Sequence, residues 1–300
     1  MKPEHRKPKP EWLRRRFSFK SSVTEINDLL LDLNLHTVCQ EAHCPNQSEC
    51  FGNHTATFML LGDHCSRNCT FCAVTHGVME PPDPEEPKRV AEAVSRLDLK
   101  YVVLTSVTRD DLADDGGASH FAATIKTIRS VGSDILVEVL VPDFQGSPQS
   151  LATVLEAQPA VLNHNLETVP RLYPAVRPQA DYQRSLRLLK EAKRLHPEAV
   201  TKSGFMVGFG EKQEEVSSLL RDLRKANCDL VTIGQYLRPS QDHHPVVDYI
   251  HPELFQANQQ EAEELGFSGV ASGPYVRSSY KAEKLYRKAI QAKSGQSRVE

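Results

Sequence analysis

Along most of this chain, apolar and polar residues alternate between two periods. Short apolar runs come first: TATFMLL with its core at 57–61, KYVVLTS, DILVEVL, PAVLNHN, TKSGFMVG and DLVTIGQ. Runs so dense in Val, Ile, Leu and Phe predict strands buried on both faces. A helical pattern follows each run. Val90, Ala93, Val94 and Leu97 fall at i, i+3, i+4 and i+7, and so do Val216, Leu219, Leu220 and Leu223. Phe121, Ile125 and Ile128 form one stripe, Leu151, Val154 and Leu155 another, and 182–195 and 253–265 complete the set. The chain therefore reads as an α/β protein of about six β-α units in series.

Six such units without a phosphate-binding fingerprint predict a partial (β/α)6 TIM-type barrel rather than a doubly wound sheet. The expected division is an N-terminal arm with a cysteine-rich extension over 1–55, a barrel over 56–266 and a C-terminal extension over 267–300. A barrel carries its chemistry in the loops after its strands. Here those loops are polar: SVTRDDLADDGG, VPDFQGSP, NLETVPRLYPAVRP, VGFGE and YLRPSQDHHP.

Composition narrows the class. The 300 residues are 39% hydrophobic and 25% charged, ordinary for a globular protein, and no run of 18 apolar residues predicts a membrane span. The N-terminus has no apolar secretory core, so a cytoplasmic protein with reduced thiols is expected. A net charge of −3 argues against nucleic acid as a partner. The ends differ from the middle: residues 1–20 carry eight Lys and Arg against two Glu, and 277–300 carry seven against two. They read as solvated tails or as a landing surface for an acidic partner. There is no nucleophile elbow for a hydrolase.

Six of the seven cysteines fall within residues 39–72, in two triplets. The spacings are Cys39-x4-Cys44-x5-Cys50 and Cys65-x3-Cys69-x2-Cys72. Clustered thiols in a reducing compartment predict a soft-metal site. Structural zinc takes four protein ligands, which His43, His54, His64 or His76 could complete. An iron–sulfur cube held by three thiolates instead leaves one iron open. Cys228, alone beside a strand, reads as a buried inert thiol. The four Asp of RDDLADDGG read as a helix cap and a solvated loop.

The second triplet, with Phe71 just before its last cysteine and its place after the first strand, resembles the radical S-adenosylmethionine superfamily. The resemblance implies that Cys65, Cys69 and Cys72 hold a [4Fe–4S] cluster whose open iron chelates S-adenosylmethionine. The reduced cluster then generates a 5′-deoxyadenosyl radical. The first triplet narrows this to the lipoyl synthase family, as do LTSVTRDDLADDGG, NHNLETVPRLYPAVRP, KSGFMVGFGE, YLRPS and GPYVRSSY. That resemblance covers residues 10–286 or so. It implies a second, auxiliary [4Fe–4S] cluster on Cys39, Cys44 and Cys50, with Ser279 of Arg277-Ser278-Ser279-Tyr280 as fourth ligand and Arg277 orienting it. Without the resemblance, RSSY reads as a helix cap, and the residue types alone do not separate Ser278 from Ser279.

The family reaction inserts two sulfurs, at C6 and C8 of an octanoyl chain on a carrier lysine, and the auxiliary cluster supplies them. Implied partners are octanoylated carriers (E2 lipoyl domains and the glycine cleavage H protein), a ferredoxin- or flavodoxin-type electron donor and an iron–sulfur cluster carrier. For S-adenosylmethionine, candidate contacts are Phe71, Thr105, Ser106, Asn163, Glu167, Arg177 and Gly208. A carboxylate suits ribose hydroxyls and a guanidinium suits the ligand's carboxylate. The alternative for Glu167 and Arg177 is a loop ion pair.

Overall fold

The chain's most apolar segments line up in one twisted sheet. The computed structural model describes residues 8–14, 21–52 and 55–296; most of the basic N-terminal arm, and His54, lie outside the described residues. After helix α1 (Ser21–Asp32) comes a short edge strand, β1 (His36–Thr37). Helices α2 (Val38–Glu41) and α3 (Gln47–Phe51) follow and carry Cys39 and Cys50, with Cys44 in the turn between them. Strand β2 (Thr57–Leu60) opens the barrel and pairs antiparallel with β1, His36 opposite Met59. A small parallel pairing of β3 (His64–Cys65) with β4 (Thr75–His76) closes the second cysteine loop.

The sheet continues through β5 (Tyr101–Ser106), β6 (Leu136–Leu140), β7 (Val161–Asn163), β8 (Val200–Val207), β9 (Leu230–Gln235) and β10 (Gly269–Gly273). From β2 to β10 every neighbouring pair is parallel, in chain order. Among the described residues no ladder joins β1 or β2 to β10, so the barrel is open on that side. The crossover helices are α4 (Glu86–Arg96), α5 (Ala118–Val131), α6 (Pro148–Glu156), the short α7 (Tyr173–Val176) before α8 (Tyr182–Leu195), α9 (Gln213–Lys225) and α10 (Pro252–Glu264).

Local chemistry sets the helix starts. Ser147 accepts the N–H of Ser150 ahead of α6, and Asp181 accepts that of Arg184 at α8. The stripes expected from the sequence are the buried ones: Val90, Ala93 and Val94 on α4, and Val216, Leu219, Leu220 and Leu223 on α9. Burying each such Val or Leu contributes about 1.5–3 kcal/mol.

Two features lie beyond the predicted six units. Strand β10, a seventh parallel strand, falls in the segment expected as a C-terminal extension. Its sequence, GVASG, has no β-branched run because it is crowded. A Cβ on Gly269 would stand 2.9 Å from Leu230 Cδ2 and 3.0 Å from Leu285 Cδ1. The second is helix α11 (Ala282–Gln296), which lies against the inner face of the sheet. Its Ala282, Leu285, Tyr286 and Ala289 pack on Tyr101, Val103, Val161, Val200 and Leu230, near the strand starts. The alternate residues Val102 and Leu104 face the outer helices. Higher in the barrel Lys202 and Glu138, both fully buried, meet at 2.7 Å, and Tyr101 donates to the other Glu138 oxygen at 2.7 Å. The strand ends above them remain for chemistry.

Candidate functional site

Four barrel loops grip the second cysteine loop. Arg67 sits between Cys65 and Cys69 and is only 6% exposed. Its guanidinium donates to both oxygens of Asp110 (2.6 and 2.9 Å) and to both oxygens of Asp143 (2.6 and 3.1 Å). Burial pushes the Asp143 carboxyl up, but the Arg67 hydrogen bonds outweigh it and hold the group down at about 2. Farther along, Thr70 donates to the Ala175 carbonyl at 2.8 Å, and His244 N–H donates to the Thr70 carbonyl at 2.8 Å. His243 Nε2 donates to the Cys72 carbonyl at 3.0 Å, which fixes its tautomer, and Nδ1 then accepts from Ser240.

The thiols themselves are set for a soft ligand. The Cys65 sulfur accepts backbone N–H groups from Arg67 (3.5 Å) and Thr108 (3.3 Å). Burial pushes the Cys69 thiol up, and Cys72 up to about 12. Among the described residues no three Cys, His, Asp or Glu groups are drawn together tightly enough for a single ion.

At and beyond the strand ends, several buried polar atoms have no protein partner among the described residues. They are Ser106 Oγ, both ends of the Asn163 amide, Thr168 Oγ1 and Arg177 Nε. Orphaned polar atoms inside a protein call for a ligand or water. Arg177 NH1 donates to the carbonyls of Asn165 (3.0 Å) and Leu166 (3.2 Å). Glu167 is half-buried and holds a left-handed backbone (φ 64°). Burial pushes its carboxyl up, against the opposing pull of Arg177, Asn165 and Arg277. Glu167 and Arg177 thus share one mouth without a direct ion pair. Thr105 donates to the Leu140 carbonyl at 3.1 Å, inside the sheet. Phe71 meets Phe209 edge-on at 6.3 Å. Gly208 differs from expectation: its φ of +110° and missing Cβ make room for the protein's own Gln235 and Asp248.

The first triplet and the RSSY segment meet across the open side of the barrel. Thr37 caps α2, which places Cys39 in the core; burial pushes that thiol up to about 11. Cys50 lies on α3. Asn46 donates to the Tyr275 carbonyl at 2.7 Å, and the Tyr280 hydroxyl donates to Glu49 at 2.9 Å. Glycines seat the segment from the sheet side. A Cβ on Gly234 would strike the Val276 carbonyl, and one on Gly204 would lie 3.0 Å from Ser278 Oγ. Ser278 Oγ accepts from Asn165 Nδ2 at 2.7 Å, and the same amide donates to Glu167 at 3.0 Å. Ser279 stands between Ser278 and Tyr280, each tied to a different half of the site.

Known proteins resemble this chain over most of its length. Residues 59–234 match the Radical SAM superfamily. A lipoyl synthase of Alkaliphilus metalliredigens (strain QYMF) is 52% identical over 288 residues, 96% of this chain and 99% of that protein. One of Caldicellulosiruptor saccharolyticus is 56% identical over 275 residues, 92% of this chain and 96% of that protein. The chain belongs to the lipoyl synthase family. Solved structures share the fold of this family member. The HydG maturase of the [FeFe]-hydrogenase matches with TM-score 0.58 at 15% identity, over 84% of this chain and 63% of that one. Methylornithine synthase matches with TM-score 0.53 at 17% identity, over 82% and 77%.

In this lipoyl synthase family member, Asn165, Asn46, Glu49 and Asp143 make contacts around these segments that leave no mark in the sequence. Their partners Ser278, Tyr275, Tyr280 and Arg67 lie tens to hundreds of residues away. Arg67 had a visible signal, as the lone charge between two clustered cysteines. Of the four Asp in RDDLADDGG, Asp115 caps α5 as expected, accepting N–H groups from Gly117 and Ser119. Asp110 and Asp111 instead pair with Arg67 and Arg109. No helix among the described residues is long and apolar enough to cross a membrane.

Proposed function

We propose that the protein inserts two sulfurs into an octanoyl chain carried on a lysine of a lipoyl carrier domain. Cys65, Cys69 and Cys72 would hold the radical-site [4Fe–4S] cluster, and Cys39, Cys44, Cys50 and Ser279 the auxiliary one. The donor set fits: three soft thiols in each group, N–H groups aimed at the Cys65 sulfur, and one hard oxygen in the auxiliary set. The orphaned atoms of Ser106, Asn163 and Arg177, with the half-buried Glu167, fit S-adenosylmethionine. When bound, these groups supply the hydrogen-abstracting power and the sulfur that side chains lack.

The chain's own residues divide the remaining work. Arg67, His243 and His244 fix the cysteine loop. Glu167 and Arg177 bind and orient, and the aromatic group of Phe71, Phe209 and Tyr236 keeps water from that wall. Arg277 sets positive charge beside Glu167. The observation that carries this reading is the pair of ties from Asn46 to Tyr275 and from Tyr280 to Glu49. They tie the segment that carries Ser279 to the segment that carries the first triplet, more than two hundred residues distant, and so support the assignment.

A serine oxygen holds iron less firmly than a fourth thiolate, which suits a cluster that is consumed. Ser279→Cys should keep the auxiliary cluster and stop sulfur insertion. Anaerobic turnover of an octanoyl-lysine peptide, read by mass spectrometry, tests this; normal yields of two-sulfur product would overturn it. Reduced protein that fails to cleave S-adenosylmethionine would favour an iron–sulfur scaffold or electron carrier instead. Acidic carrier domains, a ferredoxin- or flavodoxin-type reductant and a cluster carrier in the cytoplasm complete the proposal. The basic ends would dock the carrier, and salt-insensitive carrier binding would count against that.

A further inference from the structure

One side-chain amide joins the two halves of the site. Asn165 is 7% exposed, and its Nδ2 has two protons. One goes to Ser278 Oγ at 2.7 Å and the other to Glu167 Oε1 at 3.0 Å. Its carbonyl oxygen is buried with no partner among the described residues, so these two bonds alone orient the amide. The backbone around it is equally committed. The Asn165 carbonyl accepts from Arg177, and the Glu167 N–H donates to the Gly204 carbonyl at 3.0 Å. Gly204 is also where the amide and Ser278 come closest to the sheet: a Cβ there would lie 2.9 Å from Asn165 Oδ1.

We propose that Asn165 is a positioning residue that couples seating of the 274–281 segment to the binding of S-adenosylmethionine. This rests on the assignment of Glu167 to that cofactor. With Ser278 in place, the amide is fixed and holds Glu167 Oε1 in the binding orientation. With the segment unseated, the amide loses an acceptor and turns, and the strained Glu167 loses its only side-chain donor among the described residues. The cofactor then binds well only when the segment carrying Ser279 is docked. Linkage makes the effect reciprocal, so cofactor binding must also tighten the segment. The consequence is protective: reactive chemistry is not started while the sulfur donor is incomplete.

The test uses anaerobically reconstituted protein with both clusters. Affinity for S-adenosylmethionine is measured by equilibrium dialysis for wild type, Asn165→Ala, Ser278→Ala, the double variant and Glu167→Gln. Hydrogen exchange of 274–281 is followed with and without the cofactor. Asn165→Ala should weaken binding about tenfold, the scale of one buried hydrogen bond. Ser278→Ala should weaken it as well, although Ser278 is not among the residues assigned to the cofactor, and the double variant should bind no more weakly than Asn165→Ala. Iron content should stay at about eight per chain in both single variants. S-adenosylmethionine should slow exchange across 274–281 in wild type and not in Asn165→Ala.

Single losses that multiply in the double variant would overturn the coupling. Equal protection of 274–281 in wild type and Asn165→Ala would do the same. Should Asn165→Ala fold poorly, Ser278→Ala carries the test alone, and wild-type affinity in it refutes the proposal. Unchanged affinity in Glu167→Gln would instead overturn the cofactor assignment beneath it. Weak binding in Glu167→Gln with wild-type binding in the other two removes only the coupling.

Discussion

Tyr280 and Glu49 lie 231 residues apart in the chain, and the tyrosine hydroxyl donates to the carboxylate at 2.9 Å. With Lys281 3.8 Å from the same carboxylate, this contact draws the C-terminal turn onto the helix that carries Cys50. Tyr280→Phe removes the donor and leaves the ring. We expect the auxiliary cluster to become labile, with iron falling from about eight toward four per chain. S-adenosylmethionine cleavage should persist. Iron analysis with Mössbauer spectroscopy reads the loss, and a full cluster complement in the variant would show that the contact is dispensable.

Arg67 answers two carboxylates from within the cysteine loop. Arg67→Met leaves Asp143, 1% exposed, without its main counter-charge. Breaking a buried ion pair from one side costs about 3–5 kcal/mol. The variant should show a lower urea midpoint and a radical-site cluster that fails to assemble. Adding Asp143→Leu should restore part of the stability without restoring cluster assembly.

Lys202 and Glu138 form a fully buried pair across β7, between β8 and β6. Lys202→Met alone should destabilise by about 3–5 kcal/mol, because Glu138 is left without its counter-charge. Lys202→Met with Glu138→Leu should recover most of that. Equilibrium unfolding of both variants checks it; equal losses in the two would mean that the charges are not the cause.

His164 sets a pH dependence. Burial, and after it the charge of Arg177, push its imidazole down to about 4, while Nδ1 donates to the Val141 carbonyl at 2.8 Å and Nε2 accepts from Ser185 at 2.9 Å. A histidine whose folded pKa lies below its unfolded value of about 6.5 contributes stability that is complete above 6.5. That stability is lost as pH falls from 6.5 through 4, by up to about 3 kcal/mol. His164→Gln should flatten the slope of unfolding free energy in that window. A slope identical to wild type would place the titration elsewhere.

The six central strands and their helices were legible because their residues obey one period at a time. Strand β10 was not, since a glycine at 269 answers crowding from Leu230 and Leu285 rather than any strand propensity. The short edge strand β1 gave no period to read. The cysteine triplets stood out by spacing, because metal chemistry needs thiols close in space and a loop brings them close in sequence too. Ser279 came only through family resemblance; as a residue type it equals Ser278. Asn165 was invisible for a different reason. Its meaning lies in Ser278, 113 residues away, and no local pattern encodes a partner that distant.

The ties from Asn46 to Tyr275 and from Glu49 to Tyr280 also impose an order on the protein's birth. The thiols of residues 39–72 leave the ribosome early. The residues that close their site follow 229 to 231 positions later, on the order of 10–50 s at typical synthesis rates. Throughout that interval the first triplet waits in a half-built pocket. If Ser279 is the fourth ligand, as proposed, a cluster delivered then would have no serine to complete it, and loading of the auxiliary site would belong to the finished chain.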